Sequence, residues 1–273
     1  MKKFILLLVL FLGFHSAWAH IVEVDGIYYY LNSEDKTASV TDWWGSYYSG
    51  EIVIPETVIF DGTRYSVTSL GDECFRGCSS LTSITIPNSV TSLGSYCFYG
   101  CSSLTSITIP NSVTSLGDKC FANCYSLTAI TIGNSVKSLG DGCFRGCSSL
   151  TAITIPNSVT SLGSYCFEGC SSLTSIYMLP STPPRSGNWR YDDTPLETIY
   201  VVDEDAKTAY QAHNPWSAYE IVVMPTGIEE VGTDKTAPTI VGYYGLNGKL
   251  INGKQRGAVI VRYSDGTTRK VLK

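Results

Sequence analysis

Hydrophobic positions recur along the middle of the chain with a period of 23 residues. In the unit at 81–103 they follow the pattern L-x-x-I-x-I-P-x-x-V-x-x-L-G, with polar residues at most positions between them. The L-x-x-I-x-I spacing places both isoleucines on one face of a short strand. The proline after them cannot donate to a sheet ladder, so it predicts the end of the strand. The fixed period predicts a solenoid, in which each unit buries its apolar face against its neighbours.

Two polar columns predict a one-turn helix in the second half of each unit. Asp or Ser follows the repeated leucine and glycine, as an N-cap residue does, and five residues later Gly or Asn suits a left-handed C′ position. We therefore predict an α/β solenoid with a parallel sheet on its concave side and short helices on its convex side. The N-cap column comprises Asp72, Ser95, Asp118, Asp141 and Ser164, and the C′ column comprises Gly77, Gly100, Asn123, Gly146 and Gly169.

The full motif continues as C-F-x-x-C, and its copies span roughly residues 67–176. It resembles the leucine-rich repeats of BspA-like bacterial cell-surface proteins. The resemblance implies a leucine-rich repeat solenoid, surface display, and adhesion to host proteins or other cells. The doubled cysteines depart from that family, in which the first cysteine position is more often alanine.

The rest of the chain divides by composition around these repeats. Residues 1–19 combine two lysines, an apolar run and a small-residue cleavage pattern, which predicts a secretory signal peptide. Aromatic residues and turn formers in 20–66 predict a β-rich N-terminal cap, although the same rings could form a sugar-stacking platform. Residues 177–223 predict a C-terminal capping unit with a last strand and a closing helix, and 224–236 predict a linker.

The C-terminal segment at 237–273 predicts a small β module, because short strands alternate with Asn-Gly and Asp-Gly turns. Its YxLNGK, GxxIVR and KVLK motifs resemble the sorting signals of Bacteroidetes type IX secretion, which implies secretion machinery as a partner. An ordinary small β domain is the alternative. The segment carries 7 basic and 1 acidic residues, whereas 20–236 carries 10 basic and 23 acidic ones. The excess of acidic residues in 20–236 argues against nucleic acid as a partner.

The ten cysteines form two columns that invite a disulfide framework in a secreted chain. Their i, i+4 and stacked placements do not favour disulfide geometry, so we predict free thiols that pack as small apolar residues. No histidine accompanies them, and we predict no metal site. The columns are Cys74, Cys97, Cys120, Cys143 and Cys166, and Cys78, Cys101, Cys124, Cys147 and Cys170.

Few residues could support catalysis. Outside the predicted signal peptide, His20 and His213 are the chain's histidines. An N-terminal His20 resembles copper oxygenases that use a histidine brace, but the brace needs a second histidine on the same face. We predict a monomeric, non-enzymatic protein without a cofactor that binds a protein or glycan on host or neighbouring cells. A carbohydrate-active enzyme using the cap modules is the alternative.

The candidate binding site is the outward face of the predicted sheet, formed by the residues that flank the inward isoleucines. This face is uncharged and rich in hydroxyl groups, and Tyr177 is its aromatic residue. The alternative is that Thr and Ser have no binding role here and are present because they suit an exposed strand. Its threonine column also raises ice binding as a remote alternative. The candidate residues are Ser83, Thr85, Ser106, Thr108, Thr131, Thr154, Ser175 and Tyr177.

Overall fold

The computed structural model describes residues 20–42, 47–187 and 194–224, together with the backbone of four strands between 240 and 272. The predicted signal peptide and nearly all of the predicted linker lie outside these residues. So do Trp43 and Trp44 of the aromatic N-terminal segment.

The chain begins with short strands whose pairing leads into the repeats. Three strands form an antiparallel meander, a further antiparallel pair follows, and the third and sixth strands pair in parallel. Tyr48 ties this region together, because its hydroxyl accepts the Tyr28 backbone N–H and donates to the Thr41 carbonyl, both at 3.0 Å. The strands are β1 (His20–Val24), β2 (Ile27–Asn32), β3 (Thr37–Thr41), β4 (Gly50–Val53), β5 (Thr57–Phe60) and β6 (Thr63–Leu70).

Each repeat contributes one strand to each of two parallel arrays. The strands after β6 are β7 (Leu81–Thr85), β8 (Ser92–Leu93), β9 (Ser106–Thr108), β10 (Ser115–Leu116), β11 (Ala129–Thr131), β12 (Ser138–Leu139), β13 (Ala152–Ile155), β14 (Ser161–Leu162), β15 (Ser175–Met178), β16 (Arg185–Ser186), β17 (Thr198–Val201) and β18 (Glu220–Val223). We call β4, β7, β9, β11, β13, β15, β17 and β18 the isoleucine array. We call β6, β8, β10, β12, β14 and β16 the leucine array.

The leucine array is a continuous run of parallel pairs and continues the sheet that starts at β1. The strands of the isoleucine array pair in three groups. These are β4 with β7, β9 with β11, and the four strands β13, β15, β17 and β18. Sequence reasoning predicted the isoleucine strands but assigned no strand to the Ser-Leu pairs, because two residues are too few to show a strand period.

The helices predicted on the convex side do not form, and this prediction was wrong. The five segments from the N-cap column to the C′ column are turns without α-helix or 3-10 helix. The residue after each N-cap position has left-handed backbone, with φ of 59° at Glu73 and 55° at Tyr96, which stops a helix at its first turn. The C′ prediction is confirmed, since Gly77, Gly100 and Asn123 and their counterparts all have positive φ.

The polar N-cap column has a different partner from the predicted one. The carboxylates of Asp72, Asp118 and Asp141 each accept the backbone N–H of the residue 23 positions later, at 2.6–2.8 Å. These side chains therefore join one coil to the next instead of capping a helix within the coil.

A column of phenylalanines runs through the core of the solenoid. Phe75, Phe98, Phe121, Phe144 and Phe167 are fully buried. Their rings stack with centroid separations of 5.2–5.7 Å and interplanar angles of 4–6°. Because each ring packs on the rings before and after it, the core is shared between neighbouring coils.

The solenoid ends in a helix that crosses between β17 and β18. Helix α1 (Glu204–Gln211) lies within the predicted capping unit and is capped by Asp203, whose side chain accepts the Ala206 N–H. A 3-10 helix (Trp216–Ala218) follows, and the buried rings of Tyr210 and Trp216 meet edge to face at 5.4 Å.

Four strands of the C-terminal segment form an antiparallel sheet in the order β20-β19-β21-β22. They are β19 (Ile240–Tyr244), β20 (Leu250–Ile251), β21 (Ala258–Tyr263) and β22 (Thr268–Leu272). Across the described residues, no helix has both the length and the apolar character needed to cross a bilayer.

Candidate functional site

The hydroxyl face is the outward surface of the isoleucine array. Its inward neighbours are the buried isoleucines, so alternation along each short strand fixes which side chains point out. Thr85, Ser106, Thr108 and Thr131 are exposed. The remaining predicted residues, Ser83, Thr154, Ser175 and Tyr177, are half-buried.

Parallel pairing brings the predicted residues into rows. Thr108 pairs with Thr131, and Ser106 pairs with Ala129. Further along, Thr154 pairs with Tyr177, so the threonine row ends in an aromatic ring. Within each group of paired strands, the predicted residues therefore lie side by side on the same surface.

The hydroxyl groups on this face differ from those at its edge. At the start of the strands, Thr128 and Thr174 donate to carbonyls 23 residues earlier, at 3.1 and 3.4 Å, so the stack uses their hydroxyls. Within the described residues, the predicted Ser and Thr hydroxyls of the face hold no such bond. These unpaired groups are Ser83, Thr85, Ser106, Thr108, Thr131, Thr154 and Ser175. They are available to water or to a ligand.

Sequence reasoning missed Tyr200 as a member of the face. It pairs with Tyr177 in the β15–β17 ladder, and the two rings stack at 4.8 Å and 13°. Partial burial, and then the neighbouring Tyr200, raise the pKa of Tyr177. The 23-residue spacing between the two tyrosines was a usable signal, although it spans the irregular segment after 178.

The face extends beyond the predicted residues at both ends. Glu51 and Val53 pair with Ser83 and Thr85, and Val53 is 68% exposed. At the other end, the Thr198 hydroxyl donates to the Glu220 carboxylate at 3.5 Å. A neutral centre is therefore flanked by one carboxylate at each end.

The ten cysteines are free and buried, as predicted. Cys101, Cys124, Cys147 and Cys170 each donate to a phenylalanine carbonyl of the preceding coil at 3.1 Å. Burial raises the pKa of Cys78 to about 11 and that of Cys170 to about 12. Protonated, hydrogen-bonded thiols of this kind are structural and poorly nucleophilic. Within the described residues, no group of three potential ligands could hold a metal ion.

The two candidate catalytic histidines lie in different parts of the chain. His20 begins β1. His213 is exposed just after α1, and its Nδ1 lies 2.9 Å from the Ala209 carbonyl oxygen. This contact is local to the helix end and joins His213 to no other titratable group.

The turn side of the solenoid carries a cluster of aromatic and charged residues. The Arg76 guanidinium lies 5.7 Å from the ring centre of Tyr96 and 5.5 Å from that of Tyr99, and it pairs with Glu73 at 2.7 Å. Lys119 donates to the Tyr96 hydroxyl at 3.1 Å. These side chains contact one another across three successive coils, so the cluster joins the first three coils.

Comparison with known protein families shows to which family the chain belongs. A family described as "BspA type Leucine rich repeat region" matches residues 66–205 in six copies. The chain therefore belongs to the BspA-type leucine-rich repeat family, and the resemblance inferred from the motif is confirmed to that extent. This family is generally non-catalytic, and the comparisons show no enzymatic homologue.

Solved structures show the same fold. A leucine-rich cell-surface protein of Faecalibacterium prausnitzii is 24% identical with a TM-score of 0.53, and the match covers 91% of this chain and 60% of that one. The leucine-rich repeat protein of T. pallidum is 26% identical with a TM-score of 0.56, covering 67% of this chain and 85% of that one. A search of curated protein sequences finds no significant match.

The family and these relatives point to an extracellular or surface location and are consistent with an interaction or adhesion role. The chain spans three-fifths of the Faecalibacterium protein, so functions of that whole protein do not transfer to it directly.

Proposed function

We propose that this chain is a surface-displayed, non-catalytic adhesion protein that binds a protein or glycan on host or neighbouring cells through the hydroxyl face. The row of unpaired Ser and Thr hydroxyls carries this proposal, because the same residue types at the strand starts are used by the stack. The stacked pair of Tyr177 and Tyr200 supports it, since tyrosine is enriched at binding hot spots.

The geometry favours weak, repeated contacts. The tyrosine rings stack on each other, so the pair presents ring edges and hydroxyls outwards more than open ring faces. Small side chains on the rest of the face offer hydrogen bonds but little apolar area. Useful attachment then depends on many copies displayed together on one surface.

The test is adhesion of beads coated with the full chain to a glycan array and to immobilised extracellular-matrix proteins. We expect the double variant Tyr177→Ser, Tyr200→Ser to lose at least tenfold in retained beads. Tyr125→Ser is the matched control, because Tyr125 is 51% exposed and lies in a turn segment away from the face. Equal loss in the control, or no loss in the double variant, overturns the role of the face.

A carbohydrate-active enzyme using the cap modules makes a different prediction. Purified chain incubated with polysaccharides would release products, and His213→Ala or His20→Ala would abolish the release. That result would replace the adhesion proposal with a catalytic one.

We also propose that the basic C-terminal segment directs secretion by engaging export machinery. Its net positive charge and its motifs support this role. Deleting 237–273 is expected to leave the solenoid folded, as read by circular dichroism, while abolishing surface exposure to added protease. Unchanged surface exposure counts against a sorting role.

A further inference from the structure

The repeat changes its period at one place, between the fifth coil and the closing strands. The strands of the leucine array recur every 23 residues up to Ser161, which pairs 24 residues ahead with Arg185. The extra residue lies in the segment at 179–185, where LPSTPPR replaces the regular turn. Departures from a repeat map to loops on one face, and such loops often bind ligands.

A cleft of about 410 Å³ opens at this departure, and we call it the proline cleft. In the regular coils a buried valine closes this corner, but 23 residues after Val159 the chain has the exposed Thr182. The cleft is within the size range of small-ligand sites. Its lining comprises Asn157, Val159, Thr160, Leu179, Pro180, Ser181, Thr182, Pro183, Pro184 and Arg185.

The wall of the cleft is held in place at both ends. Leu179 donates its N–H to the Ile155 carbonyl at 3.0 Å, and Arg185 donates its N–H to the Thr160 carbonyl at 2.9 Å. Between them, the buried Tyr210 hydroxyl donates to the Pro180 carbonyl at 3.2 Å. The prolines also fix their own φ angles. A preorganised wall reduces the entropy lost when a ligand binds.

The cleft contains one cationic side chain, and no carboxylate of the described residues pairs with it. Arg185 is exposed and has no carboxylate within ion-pair distance among the described residues. Between 142 and 187 the chain has one carboxylate, Glu168, and it pairs with Arg145 at 3.1 Å. An arginine fork can bind a carboxylate or sulfate through two parallel hydrogen bonds.

The polar groups around this arginine are uncharged. Within the described residues, the side chains of Asn157, Ser181 and Thr182 form no hydrogen bond. They offer an amide and two hydroxyls, and the half-buried ring of Pro183 offers an apolar surface beside them. This combination matches a sugar, which has hydroxyls at its edge and an apolar C–H face.

We infer that the proline cleft binds a short acidic saccharide. The anionic group of the saccharide lies on the Arg185 guanidinium, and its hydroxyls bond to Asn157 and Thr182. A peptide fits less well, because the surface lining the cleft is more polar than apolar and gives an anchoring apolar side chain little to pack against. This site is distinct from the hydroxyl face and does not depend on it.

Isothermal titration of the full chain tests the inference with three probes: oligogalacturonate, a sulfated galacto-oligosaccharide and a neutral galacto-oligosaccharide. We expect at least one acidic probe to bind at least tenfold more tightly than the neutral one, and the comparison between the two identifies the anion. Arg185→Gln should weaken binding at least tenfold. Arg64→Gln, which removes an exposed cation from β6, is the matched control and should change nothing.

Thr182→Val provides a second variant with little change in volume, and it should weaken binding severalfold. Urea unfolding of each variant shows whether the fold persists. No binding by either acidic probe, equal binding of the neutral one, or unchanged binding by both variants would overturn the inference. So would equally tight binding of an acidic tetrapeptide. Retained binding by the double tyrosine variant would separate this site from the proposed adhesion face.

Discussion

Asp118 and Asp141 are joined by a hydrogen bond in which the backbone N–H of Asp141 donates to the Asp118 carboxylate at 2.8 Å. The same bond recurs from Ser95 to Asp72 and from Ser164 to Asp141. A column predicted to cap helices thus connects successive coils, and its contribution to stability can be measured.

Replacing Asp118 with Ala should lower the free energy of unfolding by about 1 kcal/mol, because the N–H of Asp141 loses its acceptor. Asp118→Asn should cost less, since an amide oxygen can accept the same bond. Urea unfolding followed by circular dichroism measures both variants. If Asn is as damaging as Ala, the hydrogen bond is not the source of the stability.

Gly117→Ala should be among the most damaging substitutions in the chain. An added Cβ would lie 2.5 Å from the carbonyl carbon of Gly94 and from the nitrogen of Ser95, and these are backbone atoms of the preceding coil. The two coils would have to separate. We expect failure to fold, or a large fall in the melting temperature measured by differential scanning calorimetry.

Gly100→Ala is the matched control for that substitution. Its nearest contact is 3.8 Å away, so space is available, but its φ of +73° favours glycine. The expected cost is about 1–2 kcal/mol from left-handed strain alone. A Gly100→Ala variant as unstable as Gly117→Ala would show that backbone strain, and not coil contact, dominates.

Phe121→Ala should destabilise the chain by about 3–5 kcal/mol, because it removes a fully buried ring from the middle of the stacked column. Phe121→Leu should cost less, since most of the volume is kept. Chemical denaturation compares the two. Equal effects of Ala and Leu would mean that the lost volume does not determine the cost.

The thiols should be unreactive in the folded chain and reactive after unfolding. Native protein treated with a thiol reagent at pH 8 is expected to show almost no reaction, whereas protein in guanidinium without reductant should show ten thiols. A count near zero after unfolding would instead indicate five disulfides.

Stability should also fall at alkaline pH. Burial raises the pKa of Cys78 from its usual 9.0 to about 11, so between pH 9 and 11 the unfolded chain releases a proton that the folded chain retains. This proton linkage stabilises the fold below pH 9 and is lost as the pH rises through 11. Urea midpoints measured from pH 7 to 11 should decrease, and Cys78→Ala should reduce the slope.

Much of the fold follows from residue spacing alone. The isoleucine strands, the buried thiols and the left-handed Gly and Asn positions could all be predicted, because a repeat shows each structural requirement several times. The turns that stand in place of the convex helices could not be predicted, since an N-cap residue and a C′ residue five positions apart fit a helix as well as a turn. Gly142 was the available signal, because it occupies the column that includes Glu73 and Tyr96, where the backbone is left-handed.

The candidate site was less accessible to sequence reasoning. Alternation along a strand identified which Ser and Thr point outwards, but it could not show which hydroxyls the stack already uses. That distinction depends on whether a carbonyl of the preceding coil lies within reach, as it does for Thr128. The proline cleft was also hidden, because it depends on Tyr210 meeting Pro180 from 30 residues away.

The close approach of successive coils at Gly94 and Gly117 has a consequence for how such a chain can change over generations. Each coil presents its successor with nearly the same docking surface, so whole coils are interchangeable parts. Removing one 23-residue unit joins two surfaces that already fit, whereas removing 22 residues shifts every later column. Gene recombination between the near-identical units can therefore lengthen or shorten the solenoid in complete steps while each product still folds.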